Sequence, residues 1–239
     1  MIEIKTFAHD LLPCREIETK EGPIRIYKTP DGDFPSMTSI LSQLDDGGIN
    51  AWIEYVGKDE ADRIVKESIA RGNCLHELSE DYLLNRFSRD KVKGQGGILF
   101  NRAKHLLDKI QIVHAIEYPL WSKSMRYAGR ADGIVTINNE LSILDHKNSR
   151  KRIDLKKSST RKKLFGYMLQ CTGYSLALYE QTGMFASHGH LIISDMETLS
   201  SQEFRFKINN ELINELDILI RSFYAKDEAI LKQSMYFSL

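Results

Sequence analysis

The hydrophobic period of this chain changes near residue 115, and that change limits the folds open to it. Upstream, apolar residues recur at helical spacing. Leu75, Leu78 and Tyr82 make one stripe and Leu99, Ala103, Leu106 and Ile110 another, as expected of helices that bury one face. Downstream, residues 128–137 are rich in β-branched side chains and 141–147 alternate, the two-residue period of strands. Further helical spacing follows the strands. The order predicts an α/β fold, with a central mixed β-sheet flanked by helices and a mainly helical N-terminal half.

Within that outline, a strand is expected at 24–27, then a turn at Thr29-Pro30-Asp31-Gly32. Ser36-Met37-Thr38-Ser39 would then cap a helix running into Leu44. Helices are predicted over 51–70, 73–86 and 98–112, with Gly72 as the break between the first two and the glycines from Gly94 to Gly97 as a loop. Strands at 117–121, 128–137 and 141–147 read as a β-meander. A helix over 163–179, strands at 190–194 and 203–208, and an amphipathic helix over 210–232 complete the chain.

The 239 residues, 42% of them hydrophobic, contain no repeat and no Pro/Gly/Ser-rich linker. This predicts one domain over 1–239, a helical part with its entry hairpin (1–114) followed by a catalytic sheet (115–239). Lys plus Arg equals Asp plus Glu at 33 each, so a polyanionic partner must show itself through local clustering. The three cysteines are scattered and form no CxxC pair, which suggests neither a disulfide framework nor a zinc site. No apolar run is long enough to span a bilayer, and MIEIKTFAHD lacks the pattern of a signal peptide. A cytoplasmic protein of a bacterial or phage-infected cell, with no membrane partner, is the expectation.

Asp145 and Lys147 lie two residues apart on a predicted strand, so alternation puts both on one face, with His146 pointing away. If Asn138-Asn139 is a two-residue hairpin loop, Ile137 pairs with Glu140, and the same register carries Asp132 opposite Asp145. A three-residue loop would shift this by one position. Opposed carboxylates repel unless something compensates. A hard cation such as Mg²⁺ or Mn²⁺ would do so, and would activate water against a phosphodiester. Lys147 could orient that water and stabilise charge on the phosphate. An isolated D-x-K is most often a solvated surface pair; here Ile143-Leu144 and Ile134-Val135 make the charges intrusions into apolar strands.

Three further features bear on the same chemistry. Tyr167, Gln170 and Tyr174 share a helix face beside an apolar stripe of Leu164, Met168, Cys171 and Leu178; they could contact a nucleotide or cap the core edge. Residues 150–163 carry eight Lys or Arg against one Asp, with Arg161 among them, which suits a phosphate-tracking segment or a solvated loop. His76 lies one position off its helix's apolar stripe, where an imidazole could add a metal bond or serve structure alone.

Five ordered motifs resemble the RecB-type PD-(D/E)XK nucleases, in the branch containing the mitochondrial genome maintenance exonuclease and related phage and bacterial exonucleases. They are Phe34-Pro35-Ser36-Met37-Thr38-Ser39-Ile40-Leu41, Arg71-Gly72-Asn73-Cys74-Leu75-His76, Gly129-Arg130-Ala131-Asp132, Asp145-His146-Lys147-Asn148-Ser149, and Gln170 with Tyr174. Asn148 stands where a Thr is usual in that branch, and Met37 where a Val is usual. The resemblance implies a restriction-endonuclease-like core. Asp132 and Asp145 would bind metal with His76 and the carbonyl of His146, and Lys147 would be the catalytic lysine. Gln170 and Tyr174 would engage DNA, and Ser39, Arg71 and Arg130 in the motifs, with Arg161 beyond them, complete the expected DNA contacts. The activity implied is Mg²⁺- or Mn²⁺-dependent DNA exonuclease, from ends and with single-strand preference. The sequence has no helicase motif or P-loop, and three cysteines cannot supply a four-thiolate iron–sulfur cluster, so a stand-alone nuclease is expected, with replication or recombination proteins as candidate partners. The alternatives are a DNA-end-binding or recombination accessory module, or a structure-specific endonuclease using the same site.

Overall fold

Asn138 and Asn139 both adopt left-handed backbone, at φ 53° and 61°, the conformation a type I′ two-residue hairpin turn requires and Asn tolerates. In the computed structural model, which describes residues 4–44 and 48–236, this turn sets the register of the strands on either side. Ile137 pairs with Glu140, and the ladder runs back to Gly133 opposite Leu144. It ends there, one step short of the expected Asp132–Asp145 pair.

The elements in chain order are β1 (Ala8–His9), β2 (Glu18–Lys20), β3 (Ile26–Thr29), β4 (Gly32–Pro35), α1 (Met37–Leu41), α2 (Gly48–Val56), α3 (Lys58–Leu83), α4 (Gly94–Leu107), β5 (Ile110–Ser122), β6 (Tyr127–Ile137), β7 (Glu140–Ser149), α5 (Ser158–Thr182), β8 (His188–Asp195), β9 (Ser200–Lys207) and α6 (Asn210–Tyr236). The main sheet has six strands in the order β1-β5-β6-β7-β8-β9. β5 to β7 form the antiparallel meander, β7 and β8 are parallel across the α5 connection, and β9 returns antiparallel. The fold is α/β with a mixed sheet flanked by helices.

Alternation along the central strands builds both cores. Ile134 and Ile143 face a core shared with Met37, Ile40, Leu178 and Leu216, from α1, α5 and α6. Their neighbours Val135 and Leu144 face the other side, with Leu75, Leu78, Leu99 and Phe100 of α3 and α4. Each such fully buried side chain contributes roughly 1.5–3 kcal/mol relative to exposure. A second sheet, β2-β3-β4, packs Tyr27 and Phe34 against Trp121 and Ala128 of the first. It carries the chain into α1, whose N-cap Ser36 accepts from the Ser39 N–H at 2.9 Å.

Several expected boundaries move. The predicted break at Gly72 is absent: α3 runs unbroken through it, and the break falls at Gly57, where φ is 86°. Gly72 is instead a point of close approach, since a Cβ there would stand 2.6 Å from the Asn148 side-chain amide nitrogen. Gly94 to Gly97, expected as a loop, form the first turn of α4. The helix predicted over 98–112 ends at Leu107, and β5 starts at Ile110, well before the expected strand at 117. Among the described residues no helix is long and apolar enough to cross a membrane. Met1, where the signal-peptide reading begins, lies outside them.

Candidate metal centre

The site forms where β6 and β7 part. Beyond the Gly133–Leu144 pair, the His146 main-chain N–H donates to Asp132 Oδ2 at 2.7 Å, so a carboxylate takes the place of a strand carbonyl. Asp145 on β7 is fully buried, and its Oδ1 accepts from Lys147 Nζ at 2.8 Å. Its Oδ2 has no protein hydrogen-bond donor. Burial raises the Asp145 carboxyl above the ordinary carboxylate range; Lys147 pulls it down and Asp132 adds to the rise. Burial opposes the Lys147 ammonium, but Asp145 and Asp132 outweigh it and hold the lysine charged, with its pKa raised. The Nζ also sits 5.2 Å from the centroid of the Tyr167 ring on α5, a cation–π distance.

α3 brings His76 over this end of the sheet, its Nδ1 3.4 Å from Asp132 Oδ2 and 3.9 Å from Glu117 Oε1. Glu117 is a ligand candidate that alternation did not single out. It lies between the β5–β6 pairs Ile116–Gly133 and Tyr118–Ala131, and so faces Asp132. Its φ of 47° is left-handed, an uncommon and strained backbone for Glu. Donor atoms of His76, Glu117 and Asp132 all lie within 4.8 Å of one another. Burial alone would depress His76, yet Asp132 and Glu117 raise it to about 9. A ring so strongly driven to accept a proton faces a surplus of negative charge.

These residues fit a divalent cation. Two carboxylates and an imidazole form an oxygen-rich donor set suited to Mg²⁺ or Mn²⁺, and the buried Asp145 Oδ2 is a further oxygen in want of a positive partner. Of the four expected ligands, His76 and Asp132 come together with Glu117, and Asp145 lies behind them. The His146 main chain contributes an N–H that holds Asp132. Its ring is buried, held neutral chiefly by burial, and packs edge-on at 6.0 Å from the His76 ring.

The ligands open into a cleft of about 760 Å³ whose walls include Tyr27, Thr38, Arg130, Gln170 and Tyr174. Gln170 Nε2 donates to the Tyr174 hydroxyl at 3.2 Å, and both side chains are buried at the cleft wall. Gly129 makes room for that phenol, since a Cβ there would lie 2.7 Å from the Tyr174 ring and hydroxyl. The remaining expected DNA contacts divide. Arg130 is exposed and lines the cleft. Arg71 lies outside the cleft lining and reaches Asn148 Oδ1 and Gln95 Oε1, each at 3.2 Å, bracing the strand that carries Lys147. Ser39 sits in the α1 cap, beside Arg25. Arg161 donates to the Leu155 and Lys156 carbonyls, which ties down the basic segment from within.

No protein-family model and no curated protein matches the chain. Among solved structures it is similar to SSO0001, at 16% identity and a TM-score of 0.36, over 80% of this chain and 74% of that one. So weak a likeness carries no argument about fold or activity.

Proposed function

We propose that this chain is a Mg²⁺- or Mn²⁺-dependent deoxyribonuclease with a PD-(D/E)XK core, cutting DNA from ends. One observation carries the reading: the His76, Glu117 and Asp132 donor cluster opens to a cleft and is backed by the buried Asp145–Lys147 pair. A solvated surface D-x-K would leave both partners in water, whereas Asp145 has no exposure and Lys147 little. Asp132 and Glu117 also set two carboxylates side by side, which is costly without a positive partner between them. The exonuclease mode and the single-strand preference rest on the motif resemblance.

His76, Glu117 and Asp132 would hold the cation, with Asp145 as the inner carboxylate. When bound, it supplies Lewis-acid polarisation of a phosphodiester oxygen and lowers the pKa of its water. Lys147 keeps its positive charge at neutral pH and is aimed by Asp145 and Tyr167, so it stabilises negative charge growing on the phosphate. Gln170 fixes the Tyr174 hydroxyl by donating to it, which leaves the phenolic proton for a substrate oxygen. Arg130 at the cleft wall attracts the backbone.

The test is digestion of labelled linear single-stranded, linear duplex and circular DNA in Mg²⁺, Mn²⁺ or EDTA. Linear substrates are expected to be degraded only with metal, and circles to survive. Digestion of circles as fast as linear strands would remove the exonuclease assignment, and cutting in EDTA would remove the metal.

A further inference from the structure

We propose that a second cleft, beside the catalytic one, is a stacking subsite for unpaired DNA bases, with Trp52 and Tyr167 as its aromatic walls. The proposal rests on the nuclease reading and names where the strand next to the cut phosphate lies. The cleft, about 640 Å³, lies between α1, α2 and α5, and Leu41, Leu44, Trp52 and Tyr167 make its lining mainly apolar. Thr38 and Gln170 line this cleft and the catalytic one alike, so the two meet at those side chains.

The occupant follows from the walls. A nucleotide strand presents flat apolar faces and a charged backbone, and proteins that bind it unpaired offer aromatic platforms beside cations. Trp52 is half-buried in the wall formed by α2. On α5, Lys163 Nζ lies 5.9 Å from the Tyr167 ring centroid and 3.3 Å from Ser149 Oγ, which puts a cation at the cleft edge. Lys147 approaches the same ring at 5.2 Å. Tyr167 therefore links the apolar cleft to the proposed catalytic lysine: its ring contacts Lys147 and lines the apolar wall. A duplex keeps its base faces stacked and offers nothing to such a wall.

The experiment uses the full chain in EDTA, where no cutting competes, and reads intrinsic tryptophan fluorescence and the anisotropy of labelled oligonucleotides. Of the two tryptophans, Trp121 is buried and donates to Asp31 at 2.9 Å, so Trp52→Phe removes the responsive one. A dT12 oligomer is expected to quench wild type and not Trp52→Phe, while an abasic 12-mer and a blunt duplex quench neither. Trp52→Ala, with wild-type circular dichroism, should bind dT12 about ten- to a hundredfold more weakly, and Trp52→Phe should retain most of the affinity. In Mg²⁺, Trp52→Ala should raise KM with kcat changed less than about twofold.

Equal quenching by the abasic strand, or unchanged dT12 binding by Trp52→Ala, overturns the subsite. So does a change in oligomeric state by Trp52→Ala with DNA binding intact, which would make the cleft a protein interface. Quenching without any metal-dependent cutting supports the subsite and removes the nuclease reading. Cutting without quenching does the reverse.

Discussion

Asp132 is held by the main chain of His146: the amide N–H donates to its Oδ2 at 2.7 Å, at the point where β6 and β7 stop pairing. The bond satisfies a donor that the strand ladder no longer serves, and it fixes one carboxylate oxygen close to His76 Nδ1. Asp132→Asn should keep this bond through its amide oxygen, fold normally and still lose Mn²⁺ affinity by at least about tenfold. Asp132→Ala should lose both, with a further destabilisation of about 1–3 kcal/mol from the orphaned N–H. Titration calorimetry with Mn²⁺ and urea unfolding separate the two effects. Equal Mn²⁺ affinity in Asp132→Asn and wild type would remove Asp132 from the ligand set.

Glu117 is expected to pull stability and function in opposite directions. Its left-handed backbone is a strain of roughly 1–3 kcal/mol for a non-glycine residue, and it adds a negative charge beside Asp132. Glu117→Gly relieves both, so the metal-free variant should unfold at higher urea than wild type while binding Mn²⁺ more weakly. A less stable variant with unchanged metal binding would mean that Glu117 serves structure alone.

The Gly129–Tyr174 contact sets the phenol beside Gln170. Gly129→Ala puts a Cβ within 2.7 Å of the ring and should cost about 1–3 kcal/mol by overpacking, with a matching fall in kcat. Combined with Tyr174→Ala, which empties the space, its cost should be markedly less than additive in a double-mutant cycle. Full additivity would show that the two residues do not touch.

These residues also show what could be read from the chain alone. Asn138-Asn139 announced its own backbone, because few residues tolerate the left-handed region, and from that turn the pairing from Ile137–Glu140 back to Gly133–Leu144 follows by counting. Asp145 and Lys147 shared a face for the same reason. Glu117 escaped because alternation assumes extended backbone throughout, and one left-handed residue redirects a side chain without any compositional mark. Gly72 reads as a break because its role is tertiary: a Cβ there would stand 2.6 Å from the Asn148 side-chain nitrogen, a close approach that local propensity cannot register. Trp52 depends on α2 facing α5 across the cleft, and nothing in its own segment reports that. Arg71 and Arg161, expected at DNA, also have oxygen acceptors nearby in the fold, which their charge alone does not report.

His190 gives a pH signature from a residue outside the proposed ligand set. It is fully buried on β8, its Nε2 3.3 Å from Glu203 Oε1. Burial holds its pKa below the ordinary value, Glu203 opposing and Lys109 assisting. The unfolded chain, with a histidine pKa near 6.5, therefore binds a proton that the folded chain resists. The stability this represents is complete above about pH 6.5 and is lost as pH falls toward the depressed folded value. Urea unfolding from pH 7 to pH 5 should show that slope, and His190→Gln should reduce it, the remainder belonging to His146, which burial also holds neutral. An unchanged slope in the variant would assign the effect to another group.

The proposed phosphodiesterase is metal-dependent and built on Asp145 and Lys147. The decisive experiment is single-turnover cleavage of end-labelled linear single-stranded DNA in Mg²⁺, comparing wild type with Asp145→Asn and Lys147→Met, each confirmed folded by circular dichroism. Wild type is expected to cut and to stop in EDTA, and each variant to cut at least about a thousandfold more slowly. Lys147→Met should still bind Mn²⁺. Cleavage by both variants at the wild-type rate, or a wild type that cuts nothing in Mg²⁺ or Mn²⁺, would contradict the proposal.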